Sequence, residues 1–456
     1  MRRAELRSDV WFSILLAVAF LVVAYALSLG LSAVVPSAHG WVYSGDLFAT
    51  LRDAHMILWG GYGILYSSGN GLIAPPLGAL SLVPLAELSS LLGLVEPYPQ
   101  PFADPIIWLY ALGYMGIFAF VWALAAKRLL GVIAPGMSHS KVVVASSLAV
   151  AGYVLFPWGH PEDLAAVALC FFAFNAFSRQ SFAVGAYLAG FAVGFQPLAL
   201  LFLIPMFLIC LPGFKPLGAA VARAALVPAV LLAPAFVASP TQSLQAVLHQ
   251  PNFPTVDHLT IWGVVLGSHG KVFAAGEMRL AMVLAVLVAS IVARRVHARR
   301  AFRPQQIVIL CALGLSLRAF FEPVIVAYYL APFLATVVLF TPRNGQKPAL
   351  LAGGLATFGL GIIGTASIHT AAITYSVDLW ALNLGMVTLM AVSFCLAGKD
   401  DNNDLAISAA VLGSNQEVSS AIVLPKDVPA QHEAPVAVTH RMPDAHLESA
   451  SEGPLR

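Results

Sequence analysis

The 456-residue chain has 59% hydrophobic residues and 10% charged residues, with a mean hydropathy of +0.84. Several uninterrupted apolar runs of about 18 to 25 residues exclude a soluble domain and predict membrane-spanning helices. The formal net charge of +2 is too small to indicate a nucleic-acid-binding protein.

The first apolar run covers residues 11–35 and follows Arg2, Arg3 and Arg7. This run is too long for the core of a signal peptide and lacks a clear cleavage site. We therefore expect a retained first helix whose N-terminus is cytoplasmic, because basic residues stay on the cytoplasmic side.

A polar segment follows, and it predicts a helix over residues 46–59. Such a helix has one apolar face, formed by Leu47, Leu51, Ala54 and Leu58. Asp46, Thr50 and Asp53 then lie on another face. We expect the helix to lie flat on the membrane surface with its carboxylates turned toward water or a cleft. The alternative is that Asp46 only caps the helix and Asp53 is only solvated.

Hydropathy and charge disagree about residues 72–94. This run is apolar, but it contains residues that a spanning helix rarely tolerates, namely Pro75, Pro76, Pro84 and Glu87. The next run, 105–126, ends in Lys127 and Arg128, which predicts a cytoplasmic loop. Because the N-terminus is cytoplasmic and the first helix crosses outward, only one of the runs 72–94 and 105–126 can cross the membrane before this cytoplasmic loop. We assign 72–94 to the interface, so that residues 36–104 form a long outer loop with juxtamembrane helices.

The later runs alternate between the two sides in agreement with their flanking charges. They cover residues 142–157, 164–177, 182–195, 198–211, 219–237, 278–292, 307–320, 324–340, 350–368 and 377–397. The pair broken at Gln196 and Pro197 can alternatively be one strongly kinked span.

These runs predict an all-α polytopic membrane bundle of about twelve spans in residues 1–398, with both termini cytoplasmic in the plasma membrane. Residues 399–456 lose the long apolar runs and predict a disordered cytoplasmic tail.

This topology gathers the polar residues that could carry chemistry on the outer side. They are Asp46, Asp53, His55, His160, Glu162, Asp163, Gln196, His249, Asp257, His258, Arg318, Glu322 and His369. Arg318 stands out because it lies inside an apolar run, where a guanidinium is costly unless it is paired or faces a wet cavity. The alternative for Arg318 is a structural pair with Glu322, one helical turn later.

Other members of this set have simpler explanations. Glu162 and Asp163 begin a predicted helix, where carboxylates interact favourably with the helix dipole, so capping explains them as well as catalysis does. His249, His258 and His269 lack the spacing of a metal site and can be solvated loop residues. The chain contains no established nucleotide-binding, zinc-protease or serine-hydrolase motif in a suitable setting.

The order of several weak motifs nevertheless resembles the GT-C superfamily of membrane glycosyltransferases, especially its actinobacterial mannosyltransferase-like members. The resemblance covers about residues 11–211 and rests on Gly45-Asp46, Gly60-Gly61-Tyr62, Pro75-Pro76-Leu77, Lys127-Arg128, His160-Pro161-Glu162-Asp163 and the glycine-rich run 185–194. A fainter similarity covers residues 318–332. In that family the Pro-Pro segment is juxtamembrane, as the charge argument also predicts.

The resemblance implies inverting transfer of mannose, or another hexose or pentose, from a polyprenyl-phosphate donor to a glycolipid or glycan acceptor of the cell envelope, on the outer face. Asp46 matches the base that takes the proton of the acceptor hydroxyl. Arg318 is the expected partner of the donor phosphate, with His258 and His249 behind it. The expected supporting residues are Asp53, His160, Glu162, Asp163 and Gln196.

Two departures from the family pattern matter. In the first, Gln196 stands where many relatives have a lysine, which removes one expected partner of the donor phosphate. In the second, Asp46 has no acidic neighbour, so a divalent metal is not implied, and the resemblance implies no other cofactor. Two alternatives to an enzyme stay open. A transporter or lipid flippase would place polar residues deep in the membrane and would show related halves. A catalytically silent envelope protein could keep the same fold.

Overall fold

The computed structural model describes residues 3–34, 45–61, 76–92, 105–137, 140–153, 160–248, 275–321, 327–340, 381–391 and 394. Every regular element in these ranges is helical.

The helices are numbered in chain order. They are α1 (Arg3–Val34), α2 (Gly45–Gly60), α3 (Pro76–Leu91), α4 (Pro105–Ile133), α5 (Ser140–Tyr153), α6 (Pro161–Ser178), α7 (Phe182–Phe195), α8 (Ala199–Cys210), α9 (Phe214–Ala238), α10 (Pro240–Leu248), α11 (Ala275–Arg299), α12 (Pro304–Ser316), α13 (Arg318–Phe321), a 3-10 turn (Ala327–Tyr329), α14 (Ala331–Val338) and α15 (Ala381–Ala391).

Six helices are long and apolar enough to cross a membrane. The candidate spans are Glu5–Ala26, Gly113–Ile133, Pro161–Ser178, Phe214–Ala238, Arg279–Arg299 and Pro304–Phe321. The described part of the chain is therefore an all-helical assembly with several candidate membrane spans, as the apolar runs predict.

The centre of the bundle is formed by α4, α6 and α8, whose aromatic side chains are fully buried. Trp122 packs against Phe171, and Phe171 packs against Phe202. The indole N–H of Trp122 donates a hydrogen bond to Ser147 Oγ at 3.1 Å. The Ser147 hydroxyl in turn donates to the carbonyl of Ala335 at 2.7 Å. This chain of bonds joins α4, α5 and α14 inside an apolar core, where each polar group needs a partner.

Glycines permit two close helix crossings. A Cβ atom added at Gly314 in α12 would stand 2.1 Å from the carbonyl oxygen of Leu201 in α8. One added at Gly190 in α7 would stand 2.4 Å from the carbonyl oxygen of Ala224 in α9. Small residues at helix interfaces let backbones approach closely, which is a main source of packing energy in membranes.

The outward faces of α1, α9 and α11 carry exposed apolar side chains such as Val22, Val230 and Leu284. Lipid tails are as apolar as these side chains, so such exposure has little cost in a bilayer. These three helices therefore have the surface expected of lipid-facing spans.

Several predicted elements are confirmed. A helix covers the acidic segment as α2, and the break at Gln196 and Pro197 separates α7 from α8. The run 72–94 contains α3, a 16-residue helix that continues through Pro84, and its interfacial location stays a prediction. The predicted spans at 350–368 and the tail at 399–456 lie outside the described residues.

The structure excludes one interpretation of the polar face of α2, namely that Asp53 is only solvated. Thr50 and Asp53 are each only 4% exposed, so this face lies within the protein and Asp53 is not a solvated residue. The helix packs on α3. Residue spacing predicted two faces for α2, but it could not show that Thr50 and Asp53 are buried by tertiary packing.

Candidate functional site

The N-terminus of α6 carries the acidic pair Glu162 and Asp163. Pro161 occupies the first helical turn, where its missing N–H costs no hydrogen bond. His160 is the N-cap residue, but its side chain makes no capping bond. The carboxylates lie near the positive end of the helix dipole, yet the hydrogen-bond partners of the Asp163 side chain come from other parts of the molecule.

Asp163 joins three helices. Its side chain is fully buried, and each carboxylate oxygen accepts one hydrogen bond. Arg318 donates to one oxygen at 3.1 Å, and the Gln196 amide donates to the other at 2.6 Å. The carboxylate thus connects the start of α6 with the end of α7 and the start of α13. Capping alone does not explain Asp163.

Arg318 begins the single-turn helix α13, two residues after α12 ends at Ser316. The Asn383 amide of α15 donates to the Ser316 carbonyl at 3.3 Å and so contacts the break between the two helices. Arg318 is only 8% exposed, and its carboxylate partner Asp163 lies 155 residues away in sequence. Glu322, the partner considered from sequence spacing, lies outside the described residues.

Aromatic rings surround the buried guanidinium. The Tyr329 ring centre lies 3.7 Å from Arg318 Cζ, and the Tyr328 ring centre lies 5.6 Å from it. Tyr328 also stacks on the His160 ring, with 4.3 Å between the ring centres. A desolvated cation–π contact can contribute about 2 kcal/mol, so these rings help to hold the arginine in place.

His160 and Glu162 form a second buried pair. The distance from His160 Nδ1 to Glu162 Oε1 is 2.6 Å, and the two side chains are 12% and 5% exposed. A carboxylate in this position orients an imidazole. Together, His160, Glu162, Asp163, Gln196, Arg318, Tyr328 and Tyr329 are called the polar cluster below.

Two residues that sequence reasoning missed extend this region toward α3. Glu162 interacts electrostatically with Tyr114 of α4, and the Tyr114 hydroxyl hydrogen-bonds Ser81 of α3. Neither residue has a distinctive sequence setting, because a tyrosine and a serine in apolar helices are common. Tyr328 and Tyr329 were noted only within the fainter similarity of residues 318–332.

The other predicted site residues are only partly described. The backbone of Asp46 lies in α2, but its side chain lies outside the described residues, as do His249 and His258 altogether. Asp53 is buried in α2, and burial lowers the pKa of nearby His55 from its ordinary value of 6.5. Because α2 packs on α3, and α3 packs on α6 and α7, the acidic helix lies one helix away from the polar cluster.

The basic residues gather at the opposite end of the bundle. Helix α6 starts at the polar cluster and is followed directly by Arg179, its C-cap residue, and α7 returns to Gln196. At the far end, Arg294 in the last part of α11 donates to the carbonyl of Leu208 near the end of α8, at 2.8 Å. The two ends of the bundle therefore differ in charge.

The polar cluster combines a guanidinium, two carboxylates, an imidazole and two phenols. Such groups can bind an anion, hold a sugar through hydrogen bonds or move a proton. The guanidinium is already paired with Asp163, so an anionic ligand would have to compete with that carboxylate. Within the described ranges, no three histidine, cysteine or acidic side chains are placed to hold a metal ion.

The class that these features define is an all-helical protein with several candidate membrane spans and a buried polar cluster at one end. Comparison with known proteins does not assign the chain to a family, because no family model and no curated protein matches it.

Proposed function

We propose that this chain is an integral membrane glycosyltransferase of the GT-C type, using a polyprenyl-phosphate-linked sugar as donor. The sugar is mannose or another hexose or pentose, and the acceptor is a glycolipid or glycan of the cell envelope. The observation that carries the proposal is the pairing of Asp163 with Arg318 between helices far apart in sequence. It brings a cation, hydrogen-bonding groups and aromatic rings together at one end of a lipid-embedded bundle.

The same proposal assigns the two ends of the bundle to the two sides of the membrane. The basic end faces the cytoplasm, following the positive-inside rule, and the polar cluster faces outward. The complete bundle then has about twelve spans with both termini inside. The basic residues and the polar cluster lie at opposite ends of the bundle. This separation supports the orientation, because helices that cross the membrane in alternating directions place their two ends on opposite sides.

The transfer requires two groups with different tasks. The Asp46 carboxylate takes the proton of the acceptor hydroxyl while that oxygen bonds to the anomeric carbon of the sugar. The bond from the anomeric carbon to the phosphate oxygen breaks, and polyprenyl phosphate leaves with the bonding electrons. Arg318 stabilises the charge that develops on this phosphate. Gln196 bonds to Asp163 and His160 stacks on Tyr328, so both lie beside contacts of Arg318. From there they orient oxygen atoms of the sugar donor.

A membrane transporter or lipid flippase is the second candidate. The observation that favours it is the break between α7 and α8, with Gln196 at the broken end bonded to Asp163. Transporters often build substrate sites from broken helices. The polar cluster lies at helix ends, however, whereas transporter sites typically lie near the middle of the membrane.

The test separates donor binding from transfer. Membranes containing the full chain are given a radiolabelled polyprenyl-phosphate mannose and cell-envelope lipids as acceptors. Asp46→Asn should bind the donor as the unmodified chain does but lose transfer by roughly 100-fold or more, the usual contribution of a general base. Arg318→Gln should weaken donor binding itself. Arg179→Gln, an exposed arginine at the opposite end, is the matched control and should change neither.

Four results would remove the proposal. Unchanged transfer by Asp46→Asn would remove the base, and unchanged donor binding by Arg318→Gln would remove the phosphate partner. A complete lack of transfer by the unmodified chain to every envelope acceptor would favour the silent envelope protein. Movement of intact labelled lipid between leaflets, without transfer, would favour the flippase.

The orientation is tested by cysteine labelling from each side of the membrane. Ser68→Cys and Ser89→Cys should react with an impermeant reagent added outside. Ser178→Cys, at the exposed end of α6, should react only after the membrane is opened. Labelling of Ser89→Cys solely from the cytoplasmic side would overturn the interfacial assignment of residues 72–94.

A further inference from the structure

The last two turns of α11 and the residue just after them form the most basic surface in the described part of the chain. Arg295, Arg299 and Arg300 are exposed there, and Lys215 is exposed near the start of α9. These four residues and Arg294 are called the basic patch below. It lies at the opposite end of the bundle from the polar cluster, so the proposed function does not use it.

Arg294 fixes the geometry of this patch. Its guanidinium donates to the Leu208 carbonyl at 2.8 Å and lies 5.7 Å from the centre of the Phe214 ring. These contacts hold the ends of α8 and α11 beside the start of α9. Phe214 is 86% exposed, which leaves a large aromatic side chain at the edge of the basic patch.

The positive charges of the patch are not neutralised inside the described part of the chain. No carboxylate there forms an ion pair with Arg295, Arg299, Arg300 or Lys215. Arg295 and Arg299 are also one helical turn apart on the same face, an arrangement that destabilises a helix by about 0.2–0.5 kcal/mol. An external anion would relieve this repulsion.

An apolar stripe leads along α11 to these arginines. Leu280, Leu284, Val288 and Ile291 are all exposed. Their spacing puts them on one face of the helix, and Arg295 continues that face. Residues 280–291 extend about 16 Å at 1.5 Å per residue. That length matches one leaflet of a hydrocarbon core about 30 Å thick.

We propose that this face of α11 binds an anionic phospholipid of the leaflet at the basic end. An acyl chain lies along the apolar stripe, and the headgroup phosphate contacts Arg295 and Arg299. Lys215 adds a further positive charge, and Phe214 packs against the upper acyl carbons. A zwitterionic lipid offers the same acyl chains without net negative charge, so the arginines select for the anionic headgroup.

The experiment titrates the detergent-purified full chain with phosphatidylglycerol or phosphatidylcholine and counts bound lipids by native mass spectrometry. Phosphatidylglycerol should bind more tightly to the unmodified chain. Each of Arg295→Gln and Arg299→Gln should weaken that binding about fivefold, and the double variant about 30-fold, given about 1 kcal/mol per basic residue near an anionic surface. Phosphatidylcholine binding should not change.

Two controls keep the test specific. Arg179→Gln removes an exposed arginine from the same end of the bundle but away from α11, and it should leave phosphatidylglycerol binding unchanged. Soluble glycerol phosphate carries the anionic group without acyl chains and should displace little bound lipid at equal concentration. Far-UV circular dichroism of each variant checks that the helices are intact.

The proposal fails if the double variant binds phosphatidylglycerol as the unmodified chain does, or if the two lipids bind alike. It fails equally if Arg179→Gln has the same effect as Arg295→Gln, because the patch would then be part of a diffuse charge. Full displacement by glycerol phosphate would show a free-anion site and would overturn the role of the apolar stripe.

Discussion

Removing Arg318 should destabilise the protein strongly, because Asp163 would keep a buried charge without its cation. At 3.1 Å and an effective dielectric constant of about 20, the attraction between the two charges is about 5 kcal/mol. Part of this energy offsets the cost of taking both groups out of water. Breaking such a pair by removing one partner typically costs about 3–5 kcal/mol. Arg318→Met should therefore lower the free energy of unfolding by about that amount.

A double-mutant cycle tests the reasoning. Unfolding of the full chain in mixed micelles is followed for Arg318→Met, for Asp163→Asn and for the double variant. The double variant contains neither buried charge, so it should lose much less stability than the two single losses added together. We expect a coupling energy on the order of 2–3 kcal/mol. Additivity within about 0.5 kcal/mol would refute the pairing as a stabilising contact.

Three further predictions concern the helices around the polar cluster. Gly314→Ala forces a Cβ atom against a backbone oxygen and should lower thermal stability by about 1–3 kcal/mol, whereas Gly131→Ala, with open space in α4, should be neutral or stabilising. Ser147→Ala leaves the buried Trp122 N–H without its acceptor and should cost about 1–3 kcal/mol in chemical unfolding. Burial lowers the pKa of His55 in the folded chain from its ordinary value of 6.5. Near pH 6.5 the unfolded chain therefore binds more protons than the folded chain. The free energy of unfolding should therefore fall as the pH drops from about 7 to 5, and less so in His55→Gln.

Hydropathy alone predicted most helices well, because an apolar run long enough to cross lipid is a strong local signal. The run 182–195 coincides with α7, and 198–211 with α8 within a residue at each end. The apolar runs were shorter than two of the helices. Helix α9 begins at Phe214, five residues before the run 219–237, and α11 ends at Arg299, seven residues after the run 278–292. These extensions contain basic or small residues, where hydropathy falls although the helical hydrogen bonds continue.

The candidate site was harder to predict, because its contacts join residues far apart in sequence. Sequence reasoning singled out Arg318 correctly as a buried cation that needs a partner. It could consider only a neighbour on the same helix, since spacing reveals no contact between α6 and α13. The buried position of Asp53 was missed for the same reason, because burial depends on contacts with residues outside its own helix. Sequence patterns identified which residues were unusual, and tertiary packing decided which of them meet.

If Arg318 is the phosphate partner, its pairing with Asp163 stabilises the fold but competes with binding of the donor phosphate. In the structure the guanidinium is engaged by the carboxylate and by the Tyr329 ring. A phosphate must therefore displace or share contacts that already stabilise the fold. Asp163→Asn removes the competing charge while keeping a side chain of the same shape for Gln196. It should bind polyprenyl phosphate more tightly than the unmodified chain and yet unfold at a lower temperature.

Both effects can be measured on one preparation, by lipid titration and by thermal unfolding in micelles. Gln196→Glu is a useful contrast, because it adds a second carboxylate beside Asp163 and should weaken phosphate binding through like-charge repulsion. If Asp163→Asn binds polyprenyl phosphate less tightly than the unmodified chain, the carboxylate orients Arg318 for the phosphate. The competition described above would then be wrong, and the pair would act as one preorganised binding unit.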